Sequence, residues 1–277
     1  MHYRFLRFPG GKLRALTFSY DDGCLDDIRL SDTLTKYGLK GTFNFTARSK
    51  ISVEDAKKHI LDNGHEIAVH GAEHMAAGLT PVTRGIRDVL DCRLNLEKTY
   101  NRIVRGMAYP DSGIKKFENG VTYPQVKQYL SELGITYART LGGDNDSFKL
   151  PADWYAWVPT CHHRNPNVLE WADAFLAPVE GDRFKYETPR LFYIWGHSYE
   201  FTNDQNWELL DSICEKFAGR DDVWYATNSE IYEYVTAYQS LVFSADETIV
   251  YNPTLHTIWF ATAEKEYVIQ PGETQYI

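Results

Sequence analysis

Along the first 240 residues, short apolar runs alternate with longer segments in which apolar positions recur every three or four residues. The runs predict buried strands: RALTFSY (Arg14 to Tyr20), GTFNF (Gly41 to Phe45), HEIAVHG (His65 to Gly71), RGMAYP, ITYART, YAWVPT, RLFYIWGH and VWYAT. The segments between them predict helices. LDDIRLSDTLTKYG stops at Gly38, and SVEDAKKHILDNG opens on Ser52 as N-cap and ends at Gly64. A long helix opens at Thr80-Pro81, and YPQVKQYLSELG, NVLEWADAFLA, NWELLDSICEKFAG and NSEIYEYVTAYQ complete the set. Seven or eight strand–helix units in succession predict an α/β fold, a parallel sheet closed or nearly closed into a (β/α) barrel over residues 1–240. From residue 241 to 277 the period shortens to small strands separated by turn residues, which predicts a β appendage packed on the barrel.

Composition narrows the partners. A hydrophobic fraction of 43% supplies a large core, and no run is long enough to predict a membrane span. The net charge of −9, with no basic block, argues against nucleic acid and anionic membranes as partners. The four cysteines stand far apart without a CxxC, so they predict neither a disulfide framework nor a structural zinc cluster. With no apolar leader at the N-terminus, the expected compartment is the cytoplasm.

In a parallel barrel, chemistry gathers where the strands end. The first long strand ends in Asp21-Asp22, the third in His70 with His74 four residues on, the fourth in AYPDSG, and the seventh in WGHSYE with His197. Two imidazoles and a carboxylate make a ligand set for a divalent cation. Adjacent carboxylates repel each other, but beside a cation they can divide the work, one as ligand and one as base toward a water. His162 and His163 also follow a strand end, so one of them is expected at the site. Trp154, Trp157 and Trp195 are candidates to stack on a sugar ring or to fill the core.

SYDDG, HGAEH and the late WGH resemble the motifs of the polysaccharide deacetylases (carbohydrate esterase family 4) and their amide-hydrolysing relatives. That family's first motif is TFDDG and its second H-[ST]-x-x-H; here Ser19, Tyr20 and Gly71 replace the threonine, phenylalanine and Ser/Thr. The resemblance covers Arg14 to about Gln239 and implies a deformed (β/α)7–8 barrel. It implies Asp21 as catalytic base, with Asp22, His70 and His74 as ligands of a metal, zinc foremost, with cobalt or nickel as alternatives. It also implies His197 as general acid and the backbone N–H of Tyr109 as an oxyanion donor. The family's fourth-strand arginine, which orients the base, is missing near Ala108; Arg139 and Arg164 are both candidates for its role. Trp195, His163 and Arg139 are the expected substrate contacts.

The implied activity is metal-dependent removal of an N-acyl group, N-acetyl first, from an amino sugar or glycan. An amidase acting on a small metabolite or sugar nucleotide, and a barrel that binds carbohydrate without catalysis, are the alternatives. The expected partner is a carbohydrate or small acylated amine; the sequence leaves the oligomeric state open.

Overall fold

The computed structural model describes residues 3–143, 147–178, 188–262 and 265–277. After a short strand β1 (Phe5–Arg7), the barrel strands are β2 (Arg14–Asp22), β3 (Gly41–Phe45), β4 (Glu66–Val69), β5 (Gly106–Ala108), β6 (Tyr137–Arg139), β7 (Cys161–His162), β8 (Arg190–Gly196) and β9 (Val223–Tyr225). They form one parallel sheet in the order β6-β5-β4-β3-β2-β8-β7, with β9 on the lower part of β2. The result is a curled, distorted barrel, as the strand–helix alternation predicts. Helices α1 (Asp26–Lys36), α2 (Val53–Asp55, continuing as a π turn over Ala56–Leu61) and α3 (Val82–Tyr100) follow β2, β3 and β4.

Period-two alternation explains why the RALTFSYDD run is so uniformly buried. Leu16, Phe18 and Tyr20 join the apolar core that also holds Phe43, Phe45, Ile67, Val69, Phe192 and Ile194. The opposite face of the same strands carries Thr17, Ser19 and Asp21, Thr42 and Asn44, Glu66, Tyr137 and Arg139. These side chains bond to one another: Asn44 donates to Ser19 and Asp21, and Thr42 and Tyr137 donate to Glu66. The barrel interior is therefore a connected polar network, though among the described residues Arg139 Nε and Nη1 and Asn44 Oδ1 have no hydrogen-bond partner in it.

YAWVPT does not form the continuous strand its pattern predicts. Asp153 accepts the Tyr155 N–H and turns Trp154–Ala156 into a 3-10 turn, and Pro159 has no N–H to donate. The segment still closes the barrel. Trp157 N–H donates to Ala138 O of β6, while the Thr160 and His163 amides donate to Tyr193 O and Trp195 O of β8. The sheet's two edges are thus joined through residues 157–163.

The C-terminal strands are β10 (Val242–Phe243), β11 (Ile249–Tyr251), β12 (Ile258–Ala261), β13 (Glu266–Ile269) and β14 (Thr274–Tyr276). They build two three-stranded antiparallel sheets, β10-β11-β14 and β1-β12-β13, the latter including the opening strand of the chain. Among the described residues no helix is long and apolar enough to cross a membrane.

Candidate metal centre and its flanking acid–base groups

β2 delivers two carboxylates to different places. Asp21 follows the inward parity of Thr17 and Ser19 and is 2% exposed. Asp22 breaks the alternation with φ of +83°, a backbone region that costs a residue with a β-carbon of order 1 kcal/mol. Gly23 after it also has positive φ, and a Cβ there would lie 2.6 Å from Ser49 Oγ. The turn swings Asp22 over the end of β4. Its Oδ1 lies 3.6 Å from His70 Nε2 and 3.5 Å from His74 Nε2. Edges of that length are expected between ligands about 2.1 Å from a shared tetrahedral ion. All three donor atoms lie within 4.8 Å of one another.

The tautomers suit a cation. His70 Nδ1 is 3.0 Å from Ala108 O and must donate to it, which leaves Nε2 with its lone pair toward Asp22. Burial lowers the His70 pKa, and the net direction is down despite Asp21 beside it, so the ring is kept neutral. On its outer nitrogen His74 faces Asp111 Oδ2 at 3.8 Å. The Asp22 and His74 side chains remain about a third exposed (32% and 36%), so one side of the triad is open. That side forms a cleft of about 350 Å³, bordered also by Thr46, Arg48, Lys50 and Tyr199, within the usual size range of small-molecule sites.

Asp21 sits beneath. Its Oδ2 pairs with Arg139 Nη2, its Oδ1 accepts from Asn44 Nδ2 at 2.9 Å, and Oδ2 lies 3.9 Å from His70 Nε2. Burial alone would raise this carboxyl, but the Arg139 guanidinium foremost holds it below the ordinary aspartate range.

His197 follows β8. The Glu200 carboxylate accepts its backbone N–H at 3.0 Å and faces its Nδ1 at 3.5 Å. Glu200 is fixed in turn by Arg164 Nη1 at 2.9 Å and His162 Nε2 at 3.1 Å. Burial pulls the His197 pKa down, yet Glu200 and Asp21 outweigh it and the net direction is up. His162, His163 and Glu200 also lie close enough to share an ion. Here the tautomer is wrong: His162 Nδ1 accepts the Arg164 N–H, so Nε2 carries the proton of the neutral ring and donates it to Glu200.

Three sequence expectations change. The Tyr109 amide donates to Arg139 O at 2.9 Å, so the strand ladder consumes the proposed oxyanion donor. His163 is fully buried, stacked on Phe201 and Tyr20, and offers no surface to a substrate. Arg139 is also fully buried, its guanidinium 4.4 Å from the Trp195 ring centre, and it grips Asp21 rather than a ligand. Trp195 is half-buried against Arg139 and His162. Arg139 is the register partner of Ala108 across β5 and β6, so the guanidinium arises one strand from the family's usual position. Glu200 lies outside the motifs, and its i,i+3 spacing from His197 is the sequence signal that points to it.

Residues 4–138 match the family model described as polysaccharide deacetylase. A Mycobacterium smegmatis protein assigned as a polysaccharide deacetylase superposes with a TM-score of 0.57 at 18% identity, over 86% of this chain and 96% of that one. The Xyl-CE4 domain of a multidomain xylanase from the hindgut metagenome of Trinervitermes trinervoides gives 0.52 at 20% identity, over 82% and 92%. At such identities these two likenesses speak for the fold. No curated protein matches the chain.

Proposed function

We propose that this relative of the polysaccharide deacetylases is a metal-dependent hydrolase that removes an N-acyl group, N-acetyl first, from an amino sugar or glycan. The observation that carries the reading is the triad of Asp22, His70 and His74. Its edges suit a shared ion, and His70 is locked in the ligating tautomer.

A divalent ion bound there, zinc foremost, supplies a Lewis acid for the acyl carbonyl and makes a neighbouring water more acidic. Asp21, kept ionised by Arg139, accepts the proton of that water. Asn44 and Arg139 hold both of its oxygens and fix the carboxylate plane. His197, whose protonated form Glu200 favours, protonates the departing nitrogen. Without that proton an amine is a poor leaving group and the adduct reverts to the amide. Tyr199 borders the cleft and supplies a ring face for a sugar.

The first test is elemental. His74→Ala should lose most of its bound metal after dialysis; full occupancy in that variant would remove His74 from the ligand set. A panel of N-acetylated and N-formylated amines and glycans, with acetate and formate quantified, identifies the acyl group. Binding of glycans without release of either acid, in the metal-loaded protein, would turn the reading into that of a binding barrel.

Glu200→Gln gives a pH signature. The carboxylate raises the His197 pKa, so its loss lowers it, and the acid is then deprotonated at lower pH. The alkaline limb of kcat should move to lower pH while metal content is unchanged. An unmoved limb would separate Glu200 from the proton donor.

A further inference from the structure

The loop that carries His74 is built unusually. Gly71 has φ of +77° and His74 has φ of +57°, so a residue with a β-carbon holds a left-handed conformation in the middle of the ligand set. Something must over-determine that conformation. Asp88, one helical face away on α3 and 5% exposed, does so from behind. Its Oδ1 accepts the Glu73 N–H at 2.5 Å and its Oδ2 accepts the Met75 N–H at 3.3 Å. Its backbone carbonyl accepts the Ala72 N–H at 3.0 Å. One residue therefore gathers the amides on both sides of His74.

Gly71 belongs to the same device. A Cβ at this position would lie 2.3 Å from Asp88 Oδ2, so only glycine leaves the carboxylate room to reach the loop. Position 71 is the Ser/Thr position of the resembled motif, and the space a side chain would have used there is taken by a carboxylate from a helix.

Resting on the metal reading of the triad, we infer that Asp88 is a positioning residue: by clasping the amides of residues 72–75 it holds His74 in its left-handed conformation and so sets the affinity of the Asp22–His70–His74 site for a divalent cation. It acts through the loop and not by touching a ligand or a substrate. Groups that orient metal ligands from behind are typically worth about 10–100-fold in affinity.

The full-length chain tests this after chelation. Zn²⁺ and Co²⁺ affinities are measured by competition titration for the wild type, D88N, D88A and D91N. Asp91 is an exposed residue on the same helix and serves as the control. Amide exchange of residues 72–75 is followed in the metal-free proteins. D88N should bind Zn²⁺ about 10–100-fold more weakly and exchange faster at 73 and 75, and its saturated Co²⁺ spectrum should shift. D91N should match the wild type. Wild-type affinity in D88N overturns the inference, whether or not exchange has changed. Should D88A fail to fold, the near-isosteric D88N decides alone. A wild type that binds neither ion overturns the metal reading itself, a result distinct from equal affinities in wild type and variant.

Discussion

Asp21→Asn is expected to fold, to load its metal normally, and to lose about 10³-fold in kcat, within the range for removal of a positioned general base. The substitution keeps the size of the side chain and one acceptor oxygen, enough for one of the two donors, Arg139 or Asn44, that now share the carboxylate. What disappears is the charge that takes the proton from water. Asp22, about a third exposed, is untouched, and metal content is the control that separates base from ligand. Rates within a few-fold of wild type at full metal occupancy would take the base role away from Asp21.

The second large effect concerns stability. Arg139 and Asp21 form an ion pair with side-chain exposures of 0% and 3%. Removing one member of such a pair strands the other in low dielectric, at a cost of about 3–5 kcal/mol. Arg139→Met keeps the stem against Trp195 but leaves Asp21 without its main counter-charge. Burial then pushes the carboxyl upward, it takes up a proton, and the base is lost with the stability. The expected readout is a Tm lower by about 10 °C together with turnover as low as that of Asp21→Asn. The double variant, Asp21→Asn with Arg139→Met, should recover much of the Tm without recovering activity, since neither charge is then left alone. A double variant as unstable as the sum of the singles would mean that the two residues act independently.

These two residues also mark how far the sequence could be read. The proposed ligands and base sit at strand ends, where two rules meet: a parallel barrel places chemistry there, and period two puts Asp21 on the face that points inward. Both rules need only local sequence, so Asp21, Asp22, His70, His74 and His197 are all legible there as candidates. Arg139 is one of two sequence candidates to orient Asp21, beside Arg164, and is also an expected substrate contact; choosing among these roles depends on cross-strand register. It lies opposite Ala108, and only the paired strands show that a guanidinium one strand over reaches the same carboxylate.

Tyr109 failed for a related reason. Its amide is counted in a hydrogen bond to Arg139 O, and no side-chain pattern reveals which backbone donors a ladder uses. His163 reads like a loop residue, yet segment 157–163 is the seam of the barrel, and the ring turns into the space between Tyr20 and Phe201. Asp88 had no signal at all. A polar residue in a helix predicts a solvated face, and here it points at the loop that precedes its own helix.

The pairing of β1 with β12 has a consequence for synthesis. Phe5, Leu6 and Arg7 meet Ala261, Phe260 and Trp259, and among the described residues β1 has no other strand partner. In a nascent chain β1 is therefore made long before its mate β12, while β2, β3 and β4 can associate as they emerge. Ribosome-stalled chains ending before residue 258 should leave β1 open to protease, and synthesis of β12 is the event that buttons it down.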